Sequence, residues 1–180
     1  MILSELSLDL TAAHEGHIPF AQQVQHISPT DLHQLTTEVY YHIDQLLAGV
    51  NDVTFIPPAA APDGENEWNL AHVIVHLTAS LEEDACLASM LARGVVPGGR
   101  AMYETAWESV HSRDQINQRL TESRRISLAY LTAWPDIPNL IIAGTHSWFG
   151  PMNATAFHVK GLNHARSHFN QIAELVRTTP

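Results

Sequence analysis

Histidine is the residue type through which this chain could do chemistry. There are 12 in 180 residues, and two pairs stand four apart, His72/His76 and His164/His168. Random placement gives roughly 0.8 such pairs, so spacing alone says little and position says more. His164 and His168 fall on the stripe Phe157, Gly161, His164, His168, Ile172 and Leu175, whose three- and four-residue steps mark the inward face of a helix. An inward imidazole must find partners for its ring nitrogens. A divalent metal shared by both rings is one solution; hydrogen-bonded core or rim histidines are the other. His72 and His76 flank the apolar arc of a second helical segment, and Glu83 follows on the same side, as an orienting carboxylate should. The adjacent Glu82 and Asp84 read as a solvated face.

Other candidates are weaker. Arg124 and Arg125 are neighbours, so at most one points inward; a surface pair and an Arg125 that grips a substrate carboxylate are both open. Trp148 and Phe149 lie in the run 145–151, just ahead of the histidine helix, where large rings either wall a ligand pocket or plug the end of a bundle. Cys86 reads as a small apolar packing residue. The sequence contains no nucleotide-binding loop and no Ser or Cys nucleophile in recognisable context.

The elements that must position these residues follow from apolar periodicity and capping. Residues 1–27 alternate Leu with polar residues and lose any sustained period, so they read as an arm with a short helix near 20–26. Ser28-Pro29-Thr30-Asp31 opens the first long helix, to about residue 49, on the face Leu32, Leu35, Val39, Ile43 and Leu46. A proline-rich loop spans 50–68. Asn69 caps a helix that stops at Gly94 and is apolar over a wide arc. After a loop with a short turn near 105–110, the capping box Ser112-Arg113-Asp114-Gln115 starts a third helix, which Trp134-Pro135 ends. Asn153 caps the last, an unbroken helix to residue 177. Residues 28–180 therefore form one domain, an all-α four-helix bundle without a convincing strand.

Composition narrows the classes of function. A formal charge of −10 with 9 Lys and Arg offers no basic stripe, which disfavours nucleic acid. No apolar run approaches the ~18–20 residues of a membrane span, and the N-terminus lacks the basic start of a secretory signal. A single cysteine fits a reducing compartment. The expectation is a soluble cytoplasmic protein.

Two segments resemble the DinB/YfiT-like superfamily. Trp68-Asn69-Leu70-Ala71-His72-Val73-Ile74-Val75-His76-Leu77 is similar to its second-helix signature, and His164-Ala165-Arg166-Ser167-His168-Phe169-Asn170-Gln171-Ile172 to its fourth, with Gly150 through Asn153 introducing that helix. The resemblance spans roughly residues 28–177. It implies an up-down-down-up four-helix bundle that holds a divalent metal through His76, His164 and His168, with frequent homodimers. It also implies, as roles known in the superfamily, thiol-dependent transferases and isomerases that use mycothiol or bacillithiol. The chain departs from the pattern at His72, where the family often has glutamate, so His72 is a fourth ligand, a base or a bystander. Three imidazoles leave zinc one open position, and nickel, iron or manganese more, which is the mark of a catalytic site. The expected chemistry is activation of a low-molecular-weight thiol, with Gln171 orienting His168 or the substrate and His72 or Glu83 moving a proton. A hydrolase using bound water, and a binding protein without catalysis, are the alternatives.

Overall fold

A computed structural model describes residues 1–50, 64, 68–99 and 103–178. The stretch expected as a proline-rich loop lies largely outside the described residues. The described chain is mostly helical. Two short helices, α1 (Leu10–His14) and α2 (Phe20–Gln23), precede three long ones: α3 (Pro29–Leu46), α4 (Leu70–Ala92) and α5 (Arg113–Thr132). A hairpin of β1 (Gly144–His146) and β2 (Gly150–Met152) follows, then α6 (Ala154–Ser167) and α7 (Phe169–Thr178).

Each long helix starts where a side chain can satisfy its first free N–H groups. Ser28 Oγ accepts from Asp31 N at 3.1 Å while Asp31 Oδ2 accepts from Ser28 N at 3.0 Å. The Asn69 carboxamide takes the N–H of His72 at 2.8 Å and that of Asn153 takes Ala156 at 3.0 Å. Gly94, at φ +82°, lies just past the end of α4, in a conformation that a side chain disfavours.

Three expectations need correcting. The strand pair was not foreseen: three-residue strands are too short to display alternation, and their antiparallel register pairs Gly144 with Met152 and His146 with Gly150. The last helix is not continuous. Ser167 Oγ donates to the His164 carbonyl at 2.6 Å, competing for the acceptor an α-helix would give to His168; the His168 N–H goes to Ala165 at 3.1 Å instead, and the helix breaks there. It resumes at once, with Ile172 N–H on the His168 carbonyl at 2.9 Å. Finally, Asp84 is not solvated. It is 2% exposed and paired with Lys160 at 2.9 Å across the α4–α6 contact. Glu82 is half-buried and paired with Arg119 at 2.8 Å.

Helix α4 packs against both α5 and α6, and α3 packs against the same two. Their shared core includes Leu35, Val39, Ile74, Leu77, Ile116 and Leu162. Tyr40 places its hydroxyl between Ser123 Oγ at 2.7 Å and Ser127 Oγ at 2.9 Å, which satisfies a polar tip inside that core. Residues 1–27 pack onto the same core through Leu6, Ala13, Phe20, Val24 and Ile27. Arg166 of α6 donates to the carbonyls of Leu3 at 3.3 Å and Leu6 at 2.8 Å, and the Met1 amino group meets Asp31 at 2.6 Å. Among the described residues no helix is long and apolar enough to cross a membrane.

Candidate metal centre

The packing of α4 against α6 brings His76 to His164. Their Nε2 atoms are 3.0 Å apart. His168, four residues on from His164, supplies the third ring: one nitrogen from each of His76, His164 and His168 lies within 4.8 Å of the others. The rings meet nearly edge to face, with His164 and His168 at 88° and His76 and His164 at 79°. His168 is buried, and the other two are half-buried.

Hydrogen bonds to the outer nitrogens set the tautomers. His168 Nδ1 lies 2.7 Å from Gln171 Oε1, an acceptor, so Nδ1 carries the proton and Nε2 keeps its lone pair. His76 Nδ1 faces Glu104 Oε2 at 3.4 Å, a longer contact that favours the same tautomer of a neutral ring. The donor set therefore suits a cation. With metal–nitrogen bonds of about 2.0–2.1 Å, neighbouring ligand nitrogens stand about 3.3 Å apart in a tetrahedron and about 2.9 Å in an octahedron. The 3.0 Å His76–His164 separation is close to both.

His72 is not part of the convergent group. Its ring is clamped between Trp68, at 4.0 Å, and Trp107, at 5.1 Å, and its Nε2 stands 3.8 Å from Glu104 Oε1. Burial pushes its pKa down, against the opposing pull of Glu104. One carboxylate thus bridges the two histidines of α4. Glu104 was missed from sequence because it comes from a loop 28 residues beyond His76, where no helical spacing could connect them.

The remaining sequence candidates separate cleanly. Trp148 and Phe149 line a cleft of about 490 Å³ that also contains His76 and His164. Leu10 and Phe20 of the N-terminal segment form part of the same lining. Glu83 is buried but lines a separate groove with Cys86 and Tyr130, and is not among the cleft residues. Arg125 is exposed and bound to Glu122 at 2.7 Å on its own helix, which is the surface arrangement of the two left open, not the grip on a substrate carboxylate. Its neighbour Arg124 pairs with Asp44 and lies over the Tyr40 ring, which leaves both arginines with structural partners. No protein-family model, curated protein or solved structure matches this chain.

Proposed function

We propose that His76, His164 and His168 bind a divalent cation, and that the protein is a metal-dependent enzyme built on a DinB-like four-helix bundle formed by α3, α4, α5 and the broken α6–α7 helix. The observation that carries this is the convergence of three imidazole nitrogens within 4.8 Å, two of the rings opening onto a cleft. Zinc or nickel is the favoured ion, with iron or manganese as further candidates for an all-nitrogen donor set. When bound, the ion supplies Lewis acidity that holds a small thiol as thiolate near neutral pH. In the reaction the thiolate sulfur bonds to an electrophilic carbon and displaces a leaving group that departs with the bonding electrons and takes up the thiol's proton, or adds to a double bond and departs again after rotation, which isomerises it.

The chain's own residues have definable tasks in this reading. Gln171 fixes the His168 ring and Glu104 fixes His76, so that both present a lone pair rather than a proton to the centre. Trp148 and Phe149 supply an apolar wall to the cleft. Neither His72 nor Glu83 lines that cleft, so neither is assigned a proton-transfer step.

Metal analysis of the purified protein, followed by cobalt titration, tests the proposal. One ion per chain is expected, and His76→Ala, His164→Ala or His168→Ala should each abolish stoichiometric binding with an unchanged helical circular dichroism spectrum. His72→Ala should keep the ion. Retention of wild-type affinity in all three cluster variants would refute the site. A thiol-dependent visible band in the cobalt protein supports thiol chemistry, whereas turnover of activated esters without thiol would replace it with hydrolysis.

A further inference from the structure

The cleft beside the histidines is not uniformly polar. Leu10 and Phe20, from the N-terminal segment, face the hairpin residues Trp148 and Phe149 within one lining that also holds His76 and His164. Phe20 and Phe149 touch with ring centroids 5.1 Å apart, and Phe20 is fully buried, so this wall is anchored in the core. Trp148 is 67% exposed, a large apolar surface left open to water, with the ring of His14 against it at 5.5 Å. The lysine of the lining, Lys160, is already paired with Asp84 at 2.9 Å and does not select for an anionic group. An apolar, ring-lined wall next to a metal-ligating floor suits a ligand with a flat apolar body and a donor atom at one end.

We propose that this cleft selects substrates carrying an aromatic or similarly flat apolar group, held against Trp148, Phe149 and the N-terminal residue Leu10, with the buried Phe20 backing Phe149, while the reacting end faces the histidines. The inference rests on the metal-centre reading for the position of that reacting end, and on the cleft lining for the selectivity. The N-terminal segment is then a specificity element of the site.

Two titrations on the full-length protein separate these dependencies. In the cobalt-loaded protein, phenylmethanethiol should bind about tenfold or more tightly than 2-mercaptoethanol, read from the sulfur-to-cobalt absorption band. Trp148→Ala should remove most of that preference. Trp148 is exposed, so this variant does not endanger the core; Leu10→Ser, at a second exposed position, provides an independent check. In the metal-free protein, phenylmethanol should shift the Trp148 indole N–H resonance saturably, and ethanol should not. Failure to bind cobalt would refute the metal centre alone, because the metal-free titration still reads the cleft. Equal binding of the two thiols, or no saturable shift at Trp148 in the metal-free protein, would overturn the proposed selectivity.

Discussion

Gly161 offers the sharpest test of how the α4–α6 contact holds the centre together. A Cβ placed there would lie 2.8 Å from Asp84 Cβ and 2.9 Å from Asp84 Oδ2, closer than side chains pack. Alanine gains about 1 kcal/mol over glycine in a helix interior. Against this, forcing an extra methyl into a filled contact costs about 1–3 kcal/mol. Displacing Asp84 also loosens its ion pair with Lys160, whose side chain is only 16% exposed, and a broken buried pair costs about 3–5 kcal/mol. With that pair partly retained, Gly161→Ala should be destabilised by about 2–4 kcal/mol, a fall in Tm on the order of 5–15 °C for a chain of this size. Calorimetry or urea unfolding measures it, with Gly49→Ala as control because nothing lies within 4 Å of its added Cβ. Gly161 is also three residues before His164, so helices pushed apart should separate the His76 and His164 nitrogens and weaken metal binding. A Gly161→Ala protein as stable as the parent would refute the claim that close helix approach at this residue builds the site.

Glu104→Ala removes the carboxylate that faces His76 and His72, and should weaken metal affinity by about 10–100-fold; chelator competition reads this, and unchanged affinity would deny Glu104 an orienting role. His158 gives a pH prediction. Thr36 donates its hydroxyl to the Leu32 carbonyl at 2.7 Å, so His158 Nε2, 2.8 Å away, must be the protonated nitrogen of a neutral ring. Burial pushes its pKa down to about 3, with nearby His33 adding to the fall. The unfolded chain takes up this proton below about pH 6.5 and the folded chain does not, so stability should drop as pH falls from about 6.5 towards 3, by up to ~1.4 kcal/mol per pH unit. Above that range the residue contributes no pH dependence. Urea unfolding of His158→Gln should show a shallower slope between pH 4.5 and 6.5, and an identical slope would refute the assignment.

Helix starts were legible because they are local. Ser28, Asn69, Ser112 and Asn153 each bond a backbone N–H a few residues ahead, so identity and spacing suffice. The inward stripe of the last helix was legible for the same reason, since Phe157, His168 and Ile172 are buried as a helical period requires. Its interruption was not, because it turns on whether a serine hydroxyl bonds backward to the His164 carbonyl or outward to solvent. Asp84 was misread as solvated because its sequence neighbours are acidic; its actual partner, Lys160, is 76 residues away.

The sequence by itself determined a helical chain, the starts of its long helices and the two four-residue histidine spacings, all properties carried by contacts within a few turns. Tertiary structure brings together the His76, His164 and His168 that the family resemblance had singled out and leaves His72 aside; it alone decided that a loop carboxylate spans the two α4 histidines and that the N-terminal segment walls the neighbouring cleft. These depend on the approach and rotation of α4 against α6, which many weak side-chain contacts set together. Helical periodicity fixes which residues share a face, but leaves undetermined what that face meets.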